Sequence, residues 1–250
     1  MTFDLIIPCY NPSAGWERKL VLTIASLHEK SENIFQQLVR VIIVNDGSTA
    51  GVTPSALFFI RNSGLPFRIV HRRVNRGKGY SIREGVRLST AESCIYTDLD
   101  LPFGIESVLH ILNALEKGAD IALGTRSKKA YYLRAPLSRK WMSMALMFMN
   151  RYVLGIPFED SQAGIKGFNQ YGKALFLQTC INRFLFDLEF IKMAMAYDDM
   201  KIVPVNIQND GELILSRFNL KIILQEAGNF LLILLKSKYG FRTKKDPAWN

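Results

Sequence analysis

The sequence predicts an α/β fold built on a doubly wound, mostly parallel sheet, and three observations lead there. Short runs rich in Ile, Val and Leu recur through the first half of the 250-residue chain. Amphipathic helical patterns separate them, and this alternation is the signature of a parallel sheet covered on both faces. Polar motifs follow the apolar runs, at the carboxyl ends where such sheets bind ligands.

In chain order, residues 3–9 (FDLIIPC), 39–46 (VRVIIVND), 67–72 (FRIVHR), 93–98 (SCIYTD) and 120–124 (DIALG) read as buried strands bounded by polar or turn-forming residues. Leu20, Ile24 and Leu27 share one helical face, and Val108, Ile111, Leu112 and Leu115 follow the i, i+3, i+4, i+7 rule. In the second half, 137–154 is expected as a Met-rich apolar helix with a basic start. Residues 171–180 and 186–197 are expected as helices, 200–208 as a strand and 218–238 as a last amphipathic helix before a basic tail. Nothing repeats and no linker is evident, so one domain over 1–215 with a helical, basic appendage over 216–250 is expected.

Composition narrows the class. Hydrophobic residues make up 48% and charged residues 22%, which excludes a disordered chain, a collagen and a coiled-coil rod. The formal net charge of +10 points to an anionic partner. Cys9, Cys94 and Cys180 are scattered and unpaired in spacing, as are His28, His71 and His110, which argues against a disulfide framework and a zinc site. No zinc-finger spacing, RNP-like aromatic string or basic reading helix is present, so nucleic acid is not expected as a partner. The opening MTFDLIIPCYN lacks a basic signal-peptide region, and no apolar run reaches the roughly 20 residues of a spanning helix, so a cytoplasmic protein is expected.

Four strand ends carry polar groups: Pro8-Cys9-Tyr10-Asn11, Asn45-Asp46-Gly47-Ser48-Thr49, Asn75-Arg76-Gly77-Lys78-Gly79 and Asp98-Leu99-Asp100. In an extended segment Asp98 and Asp100 point the same way, and two like carboxylates call for a cation; Mg²⁺ and Mn²⁺ bind through such pairs together with substrate phosphates. A solvated loop is the alternative. Gly77, Lys78 and Gly79 set a cation and a permissive backbone at a helix start, where anions are favoured, although a surface turn would read the same. Asp46 suits either a ribose or base contact or a turn. Together the four ends describe a nucleotide-diphosphate site.

These strings resemble glycosyltransferase family 2 enzymes with the GT-A fold: IIPCYN, VNDGST, NRGKGYSIREGV, YTDLDLPF, GTR and DSQAGIKGF. With RFLFDLEF, the last is similar to the dolichyl-phosphate glucosyltransferase and polyprenyl-phosphate mannosyltransferase branch. Gly164-Ile165 stands where that branch usually has Gly-Phe. The resemblance implies a nucleotide-sugar donor, with Pro8, Tyr10, Asn11 and Asp46 around base and ribose and Gly77, Lys78 and Gly79 near the nucleotide. It places Asp98 and Asp100 at the diphosphate and its Mg²⁺ or Mn²⁺. It also implies inversion at the anomeric carbon, UDP-glucose ahead of GDP-mannose, and a polyprenyl phosphate acceptor held by Arg126, Arg134 and Arg139. Asp187 and Glu189 are implied near the donor sugar; a helix N-terminus is the other reading.

A phosphate acceptor is already anionic near pH 7 and needs positioning more than deprotonation. A saccharide hydroxyl, the acceptor in the alternative reading, would need a base, and Asp160 is the candidate, against a purely structural role. The 137–154 and 218–238 helices, apolar and flanked by Arg134, Arg139, Lys140, Lys236 and Lys238, fit either an anionic membrane surface or the protein core.

Overall fold

The computed structural model describes residues 1–30, 32–126, 149–158, 160, 163–207 and 220–238. The strands are β1 (Phe3–Cys9), β2 (Leu38–Asp46), β3 (Phe67–Arg72), β4 (Ser93–Tyr96), β5 (Ile121–Arg126), β6 (Lys166–Asn169) and β7 (Ile202–Ile207). The helices are α1 (Trp16–Lys30), α2 (Glu32–Gln37), α3 (Pro54–Arg61), α4 (Lys78–Leu88), α5 (Gly104–Glu116), α6 (Gln170–Phe176), α7 (Phe186–Ala194) and α8 (Leu220–Lys238).

All seven strands join one sheet in the order β3-β2-β1-β4-β6-β5-β7. Every pairing is parallel except those of β6, which runs against both β4 and β5. Lys166, the first residue of β6, sits opposite Tyr96 on one side and Leu123 on the other.

Side chains alternate across the sheet and feed two cores. Leu5, Ile7, Val41, Ile43 and Ile95 pack with Leu20, Ile24, Ile60, Val108 and Ile111 from α1, α3 and α5. Ile6, Ile42, Val44, Cys94 and Tyr96 pack with Ile82, Phe176, Phe186 and Phe190 from α4, α6 and α7. On that second face Phe168 stacks on Phe176 at 5.1 Å between centroids, and Phe190 meets both edge-on. Such pairs add about 0.5–1.5 kcal/mol each beyond their buried area. Local signals set the helix starts. Thr53 accepts from the Ala56 N–H at 3.2 Å ahead of Pro54, and Asn169 accepts from the N–H groups of Tyr171 and Gly172.

The expected strands are present with shifted ends. The fourth stops at Tyr96, the fifth runs on to Arg126 and the last spans Ile202–Ile207. The helices expected at 171–180 and 186–197 are shorter, at Gln170–Phe176 and Phe186–Ala194. β6 was not anticipated: four residues with two of them Lys and Asn give no alternation to read, and pairing on both sides overrides the weak local pattern. Of the expected 137–154 helix, 137–148 lies outside the described residues, and Met149–Val153 forms a π-helical turn. The boundary expected at 215/216 also lies outside the described residues.

Candidate active site

The ends of β1 and β2 are clasped by Asn11. It adopts a left-handed backbone (φ 43°), which a short amide side chain tolerates. Its Oδ1 accepts from the N–H groups of Thr49 (2.8 Å) and Ala50 (3.1 Å), while its own N–H donates to Ser48 Oγ at 2.9 Å. Asn45 Oδ1 accepts from the Ser48 N–H at 3.0 Å. The Asn-Asp-Gly-Ser-Thr turn is thereby fixed beside the β1 end, where Pro8 is partly buried and Tyr10 is 53% exposed.

Asp46 is buried, and both its oxygens are engaged by backbone. Oδ1 accepts from the Arg76 N–H at 2.9 Å and Oδ2 from the Gly77 N–H at 2.8 Å. The carboxylate thus shapes the loop that leads into Lys78, which is the turn reading of this residue. The two glycines serve close approach, but by the chain itself. A Cβ on Gly77, whose φ is +108°, would fall 2.5 Å from Asn182 O, and one on Gly79 would fall 2.6 Å from Phe186 Cβ. Arg83, absent from the sequence expectations, locks the same 179–182 segment: it is buried and donates to Thr179 Oγ1 (3.1 Å), Ile181 O (2.7 Å) and Asn182 Oδ1.

Lys78 opens α4, and its Nζ lies 2.5 Å from Asp98 Oδ1. Burial opposes its charge, yet Asp98, Asp187 and Asp100 together hold its pKa above the usual lysine range. Asp98 and Asp100 do not sit on an extended segment as expected. β4 ends at Tyr96, and 98–101 turn back, with Leu101 left-handed (φ 43°) and its N–H donating to Asp98 O at 3.0 Å. What unites the two carboxylates is their shared field on Lys78. Among the described residues no three acidic, His or Cys side chains gather as a ready metal site. The donor set is two carboxylates, which fits a hard Mg²⁺- or Mn²⁺-type ion that completes its shell from substrate phosphate and water.

Beneath this rim lies a buried charge cluster that the sequence reading missed. Lys166 is 0% exposed; its Nζ donates to Ala163 O at 2.8 Å, lies 3.2 Å from Asp187 Oδ1 and rests 5.7 Å from the Tyr96 ring centroid. Tyr96 also donates its hydroxyl to Asp187 Oδ1. Burial pulls the Lys166 pKa down, against Asp187 and Asp160. The available signal was the lysine inside AGIKGF, a charge in an otherwise apolar string.

Asp187 and Glu189 lie in the first turn of α7 and diverge, as the helix reading requires. Asp187 faces Tyr96 and Lys166. Glu189 accepts from the N–H groups of Cys180 (2.9 Å) and Ile181 (2.8 Å) and pairs with Lys236 at 2.9 Å. Lys236, for which membrane surface and protein core were both open, turns inward and ties α8 to α7. Glu226 does the same one end earlier, accepting from the Leu185 N–H at 3.0 Å. The outer face of α8 leaves Leu224, Leu231 and Leu235 exposed.

Arg126 and Asp160 form a forked pair: Nε donates to Oδ2 at 2.6 Å, Nη2 to Oδ1 at 2.9 Å, and the Arg126 backbone N–H to Oδ2 at 3.0 Å. Burial would raise the Asp160 pKa, but Arg126, with Lys166 behind it, holds it below the usual carboxylate value. That makes Asp160 a weak base and an effective anchor for Arg126. The stability this pair contributes is present above the unfolded carboxylate pKa and is lost as pH falls through the lowered folded one. Asp160→Asn is therefore expected to destabilise the protein by about 1–3 kcal/mol at neutral pH, with the deficit narrowing only in acid, as read by urea unfolding across pH. Arg134 and Arg139 lie outside the described residues.

The sequence profile of Glycosyl transferase family 2 matches residues 4–176, and the chain belongs to that family. Among curated proteins it is 26% identical over 207 residues to a dolichyl-phosphate beta-glucosyltransferase of Dictyostelium discoideum, covering 76% of this chain and 61% of that one. It is 25% identical over 170 residues to a dolichol-phosphate mannosyltransferase of Pyrococcus furiosus, covering 67% and 45%. The chain thus spans about three fifths or less of these two relatives. Solved structures share the fold. A glucosyl-3-phosphoglycerate synthase of Mycobacterium tuberculosis, crystallised with Mn²⁺, UDP-glucose and phosphoglyceric acid, superposes with a TM-score of 0.64 at 14% identity, over 94% of this chain and 79% of that one. A mannosyl-3-phosphoglycerate synthase of Rubrobacter xylanophilus gives 0.63 at 12%, over 100% and 78%. The fold is GT-A.

Proposed function

We propose that this protein is an inverting glycosyltransferase that moves a hexose from a nucleotide diphosphate sugar to a polyprenyl phosphate at the cytoplasmic membrane face. UDP-glucose is the first donor and GDP-mannose the second. The observation that carries the reading is Lys78 on Asp98, with Asp100 beside it, at the carboxyl rim of a GT-A sheet. The names of the relatives, dolichyl- and dolichol-phosphate transferases, support the acceptor class.

The residues divide the work. Pro8, Tyr10 and Asn11 border the space for base and ribose, and Asp46 holds the loop that presents Lys78. A divalent ion on Asp98 and Asp100 would supply Lewis-acid neutralisation of the leaving diphosphate. Lys78 adds a fixed positive charge to the same leaving group. Arg126, oriented by Asp160, is the described candidate for the acceptor phosphate, with Arg134 and Arg139 as the further candidates. No helix among the described residues is long and apolar enough to cross a membrane. The exposed Leu224, Leu231 and Leu235 face of α8 instead supports an interfacial seat on lipid. The domain division at 215/216 stays with this reading: a catalytic unit and a helical membrane-facing appendage.

A panel of nucleotide sugars offered to short-chain polyprenyl phosphate in anionic vesicles tests this, with product masses as the readout. A hexosyl polyprenyl phosphate of inverted anomeric configuration, and protein floating with the vesicles, are the expected results. Transfer only to a saccharide hydroxyl would replace the acceptor class.

A further inference from the structure

Lys78 and one of the two expected metal ligands, Asp98, meet at a single oxygen. The Lys78 ammonium is 2.5 Å from Asp98 Oδ1, and the other oxygen of the same carboxylate is confined by Gly164, where an added Cβ would collide with Oδ2. Asp98 Oδ2 thus lies close to the Gly164 backbone while Oδ1 carries the ammonium. At the neighbouring Asp187, Oδ1 already takes Tyr96 and Lys166. Lys78 has a long, flexible stem and stands at the start of α4, so its head group can shift while its backbone stays in the helix.

We propose that Lys78 and a divalent cation compete for Asp98 Oδ1, and that the nucleotide diphosphate relieves the competition by drawing the ammonium onto its own oxygens. This deepens the proposed function and rests on its placement of the donor. Two cations sharing one carboxylate oxygen repel, so metal alone binds against the lysine. A diphosphate offers the ammonium new anionic partners at the moment it brings further oxygens to the metal. Metal and nucleotide then bind cooperatively, and the coupling is reciprocal. Loading the ion before the donor is disfavoured by the protein's own cation.

Mn²⁺ binding followed by the electron paramagnetic resonance signal of the free ion tests this, without sugar or acceptor. The wild type, Lys78→Met, Lys78→Gln and Lys78→Arg are each compared with and without UDP or GDP, after circular dichroism confirms folding. Without nucleotide, Lys78→Met and Lys78→Gln should bind Mn²⁺ about tenfold more tightly than the wild type, the scale of one neighbouring charge. Lys78→Arg should stay near the wild type. Nucleotide should tighten Mn²⁺ strongly in the wild type and much less in the two neutral variants. Equal or weaker Mn²⁺ binding by both neutral variants overturns the competition while leaving the metal site of the proposed function standing. No Mn²⁺ binding by any form, even with UDP or GDP, overturns the metal assignment and this inference with it.

Discussion

Asp98→Asn is expected to lower sugar transfer by about a thousandfold, the scale of removing a preorganised charge from a leaving-group site. The substitution keeps the shape of the side chain and removes its charge. Lys78 then loses its 2.5 Å partner, and the proposed metal position loses one of its two carboxylates. The loss falls on kcat and kcat/KM alike, because the charge matters most when the diphosphate departs. Stability changes little, since the Asp98 side chain is 36% exposed and sits on a turn. Steady-state kinetics with the donor that supports turnover, beside a thermal melt, separates the two effects. A variant that melts like the wild type and retains more than a tenth of its rate would remove Asp98 from the chemistry.

Lys166→Met is expected to act the other way round, first on the fold. Lys166 and Asp187 form a buried pair, and removing one partner strands the other, a loss of about 3–5 kcal/mol. Asp187 would keep only the Tyr96 hydroxyl at Oδ1. Because Lys166 also fixes Ala163 O, the 163–165 segment that confines Asp98 would loosen, and activity would fall with stability. Adding Asp187→Asn removes the stranded charge and should recover part of the unfolding free energy, measured in urea. A single Lys166→Met variant as stable as the wild type would show that the pair does not hold this region together.

The parts of this architecture legible in the sequence are those written in local pattern. β1 and β2 are near-continuous apolar runs, and the burial of Leu5, Ile6, Ile7, Val41, Ile42 and Ile43 is what such runs predict. α5 was legible through Val108, Ile111, Leu112 and Leu115, all now in the core. The gathering of polar groups at strand ends was legible too: Lys78 and Asp98, 20 positions apart in sequence, do meet. What local pattern cannot carry is pairing at a distance. Asp46 turned out to serve the Arg76–Gly77 backbone, Asp160 to grip Arg126, and Lys236 to reach Glu189 across 47 residues. Each of these charges looks the same in sequence whether it faces solvent, ligand or another side chain. β6 is the same lesson in backbone: its four residues become a strand because they fill the gap between β4 and β5 and pair with both.

That gap has a consequence for how the molecule is made. β6 stands between β4 and β5, so a growing polypeptide that has completed β4 cannot close its sheet with the next strand it produces. Until residues 166–169 have left the ribosome, Cys94 and Ile95 lie along an open edge, and β5 waits without either of its partners, β6 and the later β7. Open edges of this kind invite pairing with other chains. Covering of the β4 edge is thereby delayed until well over half of the protein has been synthesised, and truncated products ending before Asn169 are the ones that should clump and call on chaperones.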